Sequence, residues 1–223
     1  MQPLTFRLSD HPFENEETVI AVFADDQGNF QIQCAENLPD FIPEFMGKFE
    51  DVLSDDARKF ATRYAKTHIT EYGTLKITDD SGKIIADCTF SPDKCCADSK
   101  LAVLLNGSEI YPTELEDIKL GAQNGYVCYG VVENNTVLSA AYTFASEDDI
   151  YGEVEIGVET ISKHRGKGYA SDCVCALAKH LSSNSIAVYY SYYEENTASK
   201  KLAASCGFEC FSRGFEIVLR KER

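Results

Sequence analysis

Basic residues are scarce in this chain. Twenty-one lysines and arginines stand against thirty-six aspartates and glutamates, a formal net charge of −15 over 223 residues. A duplex-binding protein needs a basic face to displace counterions, so no nucleic-acid partner is expected. The same negative field concentrates cations such as polyamines or amino sugars; a cationic substrate is one reading of it and plain solubility is the other. Long apolar runs are also missing. None approaches the ~18 residues that cross a bilayer, so no membrane association is expected. The opening Met1-Gln-Pro-Leu-Thr-Phe-Arg lacks the charged and apolar regions of a signal peptide, and a cytoplasmic location is expected.

Metal-ligand spacing is absent as well. His11, His68, His164 and His180 are scattered, and Cys173 and Cys175 lie two apart on an expected helix, where they point to different faces. The cysteines number nine, an odd count, and several fall where a small apolar residue would serve; reduced thiols are expected rather than a disulfide framework. Cys95-Cys96 and Cys206/Cys210 leave a metal-binding alternative beside the simpler one of ordinary thiols, and no metal is expected. Two familiar phosphate loops are missing: neither the Walker pattern nor G-x-G-x-x-G occurs.

What is present begins with a strand-like run, Glu153-Val-Glu-Ile-Gly-Val-Glu-Thr160. His164-Arg-Gly-Lys-Gly-Tyr-Ala170 and a helix-like segment follow it. Glycines 166 and 168 permit a tight turn, and the first N–H groups of the helix converge where its dipole is positive. That combination suits a pyrophosphate, with Arg165 and Lys167 adding charge. After the helix come a β-rich run, Ile186–Ser191, then Asn196-Thr-Ala-Ser199, then Leu202-Ala-Ala-Ser-Cys-Gly207-Phe208, and a last strand at Phe215–Leu219.

Arg165-x-x-Gly168-x-Ala170, followed in this order by Asn196-x-x-Ser199 and Gly207-Phe208, resembles the GNAT superfamily of acetyl-coenzyme A-dependent N-acetyltransferases. The resemblance covers about residues 120 to 223. It implies an α/β (α+β) fold: a mixed, largely antiparallel central sheet with a splayed strand pair, flanked by helices. A smaller α/β region of unknown role precedes it, with residues 1–95 and 96–223 as the expected division. It also implies acetyl-CoA as co-substrate, held by Val158, Glu159, Thr160, Arg165, Gly166, Lys167, Gly168, Tyr169, Ala170, Ser171, Asn196 and Ser199. The acceptor would be the primary amine of a small molecule or peptide.

An ammonium cannot attack a thioester, so a carboxylate must take a proton, directly or through water. Alternation places Glu153, Glu155 and Glu159 on one face of their strand. The resemblance makes Glu155 the expected base and Glu153 the next, against the plainer reading of solvated carboxylates. A backbone N–H at Val158 is the expected donor to the acetyl carbonyl. Many relatives place in the last helix a tyrosine that protonates the departing thiolate. Here Ala203 stands there, so Ser199 is the expected donor to the sulfur, unless it only caps or packs its helix. Asn196 would bond the pantetheine arm or serve as a helix cap. A non-enzymatic acyl-CoA sensor and a transferase for a longer acyl group remain as alternatives.

The N-terminal half carries no catalytic signature. Hairpins are expected at Thr18–Phe23 with Phe30–Cys34, at Thr74–Thr78 with Lys83–Asp87, and at Tyr126–Val132 with Thr136–Phe144. Helical periodicity marks Phe49–Ile69, with Ser54 as a break or cap, and Thr113–Leu120 reads as a short helix whose capping box pairs Thr113 with Glu116.

Overall fold

A computed structural model of the chain describes residues 16–36, 38, 40–69, 75–95, 99–105, 113–115, 118–119, 121 and 124–221. They contain ten strands and four helices. The described residues fall into two compact units, one drawn from 1–86, 193–195 and 211–223 and the other from 87–192 and 196–210.

The first unit is built on β1 (Glu16–Asp25), which pairs antiparallel with β2 (Phe30–Cys34) on one side and β10 (Phe208–Lys221) on the other. The turn between β1 and β2 closes on Asp25, whose Oδ1 accepts from the Gln27 and Asn29 N–H groups at 2.9 and 2.8 Å. The Asn29 side chain donates to Oδ2 and holds this carboxyl below its ordinary pKa. α2 (Asp55–His68) buries Ala57, Ala61, Tyr64 and Ala65, one stripe of the helix, in a core with Phe215, Ile217 and Leu219. Ser54 accepts from the Ala57 N–H at 3.3 Å and so starts the helix there; Phe49 packs on the core outside it. Asp55 and Asp56 in the first turn and Lys66 and His68 in the last complement its dipole. α1 (Phe41–Met46) is too short to show a period, yet Phe41 and Phe45, four apart, are fully buried.

One expected hairpin is replaced by another pairing. β3 (Leu75–Ile77) pairs antiparallel with β10, Ile77 opposite Leu219, and the turn after it continues along the same edge. The Thr78 N–H donates to Val218 O at 3.0 Å and the Gly82 N–H to Glu216 O at 2.8 Å. The turn chemistry of Asp79–Gly82 is real, but the fourteen-residue β10 supplies the acceptors that a local partner would have supplied.

In the second unit the strand order is β4-β9-β8-β7-β6-β5. The strands are β4 (Ile85–Phe90), β5 (Val103–Leu105), β6 (Tyr126–Glu133), β7 (Thr136–Ser146), β8 (Glu153–Thr160) and β9 (Ala187–Tyr193). The β6–β7 turn places Asn134 and Asn135 at φ of 48° and 61°, the left-handed conformation that tight hairpins require. β5–β6, β6–β7 and β7–β8 are antiparallel, whereas β8–β9 is parallel. α3 (Tyr169–Ser183) makes the crossover that a parallel pair requires. It buries Cys173, Val174, Leu177, Ala178 and Leu181 in a core with Val154, Ile156 and Val188. α4 (Thr197–Ser205) adds Ala203 to that core, and Cys206 and Phe208 follow it there.

No disulfide joins the described cysteines, and burial pushes the Cys128 thiol up to about 12. Among the described residues no group of three or more side chains has the arrangement of a metal site, and no helix is long and apolar enough to cross a membrane. In the region expected to be the 113–120 helix, the Thr113 hydroxyl accepts from the Leu115 N–H at 3.1 Å; Glu116, like Cys96 and His11, lies outside the described residues.

Gly207 has φ of +86°, and a Cβ there would stand 2.7 Å from Cys95 N and 2.9 Å from Lys94 C. Both neighbours are backbone and cannot swing aside. Gly207→Ala is expected to cost about 2–4 kcal/mol, from left-handed strain plus overpacking, as read by urea unfolding. Ser54→Ala removes only the α2 cap and is expected to cost about 1 kcal/mol in the same measurement.

Candidate functional site

β8 changes partners along its length. Toward β9 its ladder runs only from Glu153 opposite Ala187 to Glu155 opposite Tyr189. Toward β7 it runs from Ile156 opposite Thr143 to Thr160 opposite Ser139. Beyond Glu155, therefore, β8 and β9 part.

The backbone of β8 faces this gap in a definite pattern. The Ile161 N–H donates to Leu138 O at 2.9 Å, so odd-numbered residues direct their peptide groups at β7. Even-numbered residues face the other way, as shown by Gly152 O accepting from the Ala187 N–H at 2.8 Å. Val158 is even and lies past the last β8–β9 pair, so its N–H and C=O point into the gap. Thr160 O points the same way and accepts from Arg165 Nε at 3.3 Å. The buried Ser139 hydroxyl donates to Glu159 O at 3.0 Å and shares a bond of 2.7 Å with Thr160 Oγ1, which pins the end of the strand.

A 3-10 turn, Ser162–His164, carries the chain from β8 toward α3. Gly166 and Gly168 follow at φ of +77° and +84°, with nothing within 4 Å of where a Cβ would stand at either. Gly168 is the N-cap of α3, and no side chain caps that helix. The N–H groups of Tyr169, Ala170 and Ser171 in its first turn, with the positive dipole end, are thus presented beside open space, the arrangement suited to an anion. Lys167 Nζ lies 3.3 Å from His164 Nδ1 and 5.8 Å from the Tyr169 ring centroid. Tyr169 donates its hydroxyl to Glu133 Oε1 at 2.7 Å, and that carboxylate raises the phenol pKa. Glu133, at the end of β6, carried no sign of this partnership in the sequence.

The other expected residues divide by face. Val154 and Ile156 are buried under α3; Glu153 and Glu155 project from the opposite face and are exposed. The Tyr189 phenol is held above its ordinary value by burial first and by the nearby Glu153 carboxylate second. Glu155 stands in register with Tyr189. Asn196 is the N-cap of α4: its Oδ1 accepts from the Ser199 N–H at 3.2 Å. Tyr190 is buried, and burial raises its phenol pKa, with the nearby Ser199 acting the other way.

Val158–Thr160, Arg165–Ser171, Asn196 and Ser199 all belong to one unit, at the end of β8, at the start of α3 and in the first turn of α4. Such a site offers backbone donors to an extended polar chain in the gap and amide dipoles to phosphates at the helix start.

Residues 108–209 match the family model described as Acetyltransferase (GNAT) domain. No curated protein matches the sequence. Among solved structures, a protein assigned to the GNAT family from Novosphingobium aromaticivorans superposes with a TM-score of 0.52 at 15% identity. The match covers 68% of this chain and 69% of that one, and it shows a common fold. An acetyltransferase from the GNAT family of Colwellia psychrerythraea gives a TM-score of 0.47 at 14% identity, over 92% of this chain and 81% of its own. A GCN5-related N-acetyltransferase-like protein from Streptococcus suis gives 0.46 at 15%, over 94% and 87%. Residues 108–209 are thus similar to an acetyltransferase (GNAT) domain, and the chain shares the fold of a GNAT-family protein.

Proposed function

We propose that the chain transfers an acetyl group from acetyl-CoA to a primary amine of a small molecule or peptide, within the unit drawn from 87–192 and 196–210. The observation that carries this reading is the parting of β8 from β9 after Glu155 and Tyr189, with the Val158 peptide aimed into the gap and the uncapped start of α3 beside it. Both features fit one ligand, with a pantetheine arm for the gap and a pyrophosphate for the helix.

In this reading the N–H groups from Gly168 to Ser171, with Arg165 and Lys167, hold the pyrophosphate. The peptide groups of Val158–Thr160 and the side chain of Asn196 hold the arm. Asn196 spends Oδ1 on its helix and keeps its amide N–H donors for the ligand. The Val158 N–H donates to the acetyl carbonyl, where negative charge develops during attack. Glu155 accepts the proton that the amine must lose, directly or through water. Glu153 ranks behind it because it lies two residues farther from the point where β8 and β9 part. Ser199 donates a hydrogen bond to the sulfur, which accepts such bonds poorly as a thioester and well as a thiolate. The net charge of −15 favours cationic acceptors.

The test is acetyl-CoA turnover across a panel of polyamines, amino sugars, amino acids and peptides, read as thiol release. Tight binding with no turnover on any amine would replace the enzyme reading with that of an acyl-CoA sensor. A preference for longer thioesters would replace the acetyl group.

Gly168→Asn tests the loop, since asparagine tolerates positive φ and separates bulk from backbone strain. The open space at Gly168 accepts the side chain in the free protein, so the melting temperature is expected to hold. Acetyl-CoA affinity by calorimetry is expected to fall more than about tenfold, because the side chain stands where phosphate approaches. Unchanged affinity would remove the loop from the binding site. Glu155→Gln keeps shape and removes the proton acceptor; kcat is expected to drop about 10²-fold with acetyl-CoA affinity little altered. The same change at Glu153 is expected to cost less, and a larger loss there would move the role to Glu153.

A further inference from the structure

The face of β8 that carries Glu155 has aromatic neighbours on both sides. Across the parallel ladder, Tyr189 of β9 stands opposite Glu155. Across the antiparallel one, Tyr142 of β7 stands opposite Gly157 and Thr143 opposite Ile156. Ile156 is buried under α3, so Tyr142 and Phe144 share the other face with Glu155 and Gly157. The missing side chain at Gly157 is what lets two rings lie over β8. A Cβ there would stand 2.8 Å from the Tyr142 ring and 2.9 Å from Phe144 Cζ.

The two rings have different settings. Tyr142 is buried in a core with Leu115, Leu138 and Ile161, whereas Phe144 packs edge to face on Tyr142, 5.4 Å between centroids, and stays 42% accessible. A single exposed apolar residue is ordinary, and location is what sets this one apart. The Phe144 ring reaches over Gly157, next to Val158, whose peptide faces the β8–β9 gap. Glu155 lies two residues back on the same face, about 7 Å along the strand at the usual rise. A buried tyrosine thus holds the ring from one side, and its open surface adjoins the carboxylate at the mouth of the gap.

We infer that Phe144 selects the acceptor, and that the acceptor is an arylalkylamine: a primary amine on a short apolar arm that ends in an aromatic ring. The substrate ring lies on Phe144 while its nitrogen reaches Glu155. The inference rests on the acetyl-transfer reading above and names the substrate class of that site. Two rings stacked or tilted on one another shed apolar area from water and gain the preferred aromatic geometry. The ammonium meets a carboxylate flanked by ring faces, which also attract cations. An amino sugar or a polyamine would bring hydroxyls or a second ammonium against Phe144, where they lose water and find no partner. The net charge of −15 draws all these cations alike from a distance, so the choice among them falls to the groups at contact.

The experiment measures kcat/KM for phenethylamine, propylamine, spermidine and glucosamine in the full chain at saturating acetyl-CoA. The wild-type protein is expected to prefer phenethylamine to each of the others by more than about tenfold, the lower range for apolar contacts in a specificity pocket. Phe144→Ala is expected to raise KM for phenethylamine about tenfold. Propylamine, whose arm is too short to cover Phe144, is expected to keep its wild-type kcat/KM, as are the melting temperature and the calorimetric Kd for acetyl-CoA. Phe144→Tyr keeps the ring and is expected to keep the preference. If the alanine variant loses its fold, Phe144→Leu gives the same comparison, since leucine keeps an apolar contact with Tyr142 and removes the ring. A wild-type preference for spermidine or glucosamine would overturn the inference and leave acetyl transfer intact. An unchanged KM for phenethylamine in Phe144→Ala would overturn it too, as would equal losses for phenethylamine and propylamine, which would show a structural role. Acetyl-CoA binding without turnover of any amine would instead defeat the reading beneath it.

Discussion

The parallel pairing of β8 with β9, beside the antiparallel run β5–β8, determines where this site can be. Antiparallel neighbours can be joined by a turn of two residues, as Asn134 and Asn135 join β6 to β7. Parallel neighbours cannot; the chain must return to the same end of the sheet before the second strand begins. α3 makes that return between β8 and β9. Its first turn consequently lies where β8 ends, and its positive dipole end with it. The pairing itself then lapses after Glu155 and Tyr189, which leaves the Val158 peptide directed at a space instead of a strand. A helix start rich in donors and a strand end rich in backbone groups thus adjoin through connectivity, before any side chain is chosen.

Side chains refine what connectivity places. Glycine at 168 gives the positive φ that lets the loop turn into α3 without a side chain over the first N–H groups. Arg165 reaches back to Thr160 O, and Tyr169 reaches across to Glu133, so the loop between β8 and α3 is tied at both ends. At the other side of the gap, Gly207 allows the chain to pass against the backbone of Lys94 and Cys95 as it leaves α4. The Gly-Phe pair that marked the motif in the sequence has a packing explanation here: the glycine permits close approach, and Phe208 supplies the surface on which Tyr190 rests.

The legible parts of the sequence were those whose signal is local. The stripe Ala57, Ala61, Tyr64, Ala65 and the cap at Ser54 are complete within one helix, and Glu133-Asn-Asn135 is complete within one turn. The glycine turn at 166–168 and the helix after it could be read for the same reason, since they are contiguous. Failures came where a distant segment decides. Leu75–Ile77 carries the marks of a hairpin with the segment after Gly82, but β10, some 140 residues later, offers the longer edge. α1, with six residues, is shorter than two full turns, so no period could announce it. Alternation along Tyr189–Tyr193 puts Tyr190 and Tyr192 on one face and Tyr189 and Tyr193 on the other, but which face α3 and α4 would cover is a tertiary fact. Only that fact distinguishes the buried Tyr190 from its wetter neighbours.

The overall charge and the chemistry of the site pull in opposite directions, and distance decides between them. Coenzyme A is strongly anionic and the chain carries −15, so long-range forces oppose their encounter. At physiological salt such forces fade beyond about 8 Å, while amide dipoles and the guanidinium and ammonium of Arg165 and Lys167 act at contact. In the proposed reading, binding of the coenzyme is therefore a matter of local donors, with the global field affecting mainly the rate of encounter. For a cationic acceptor the same field works the other way before reaction and ceases to work after it, because an acetylated amine is a neutral amide. In the proposed reading, a cationic amine is drawn in by a charge that its amide has lost, so the net negative charge favours entry of the one without slowing departure of the other.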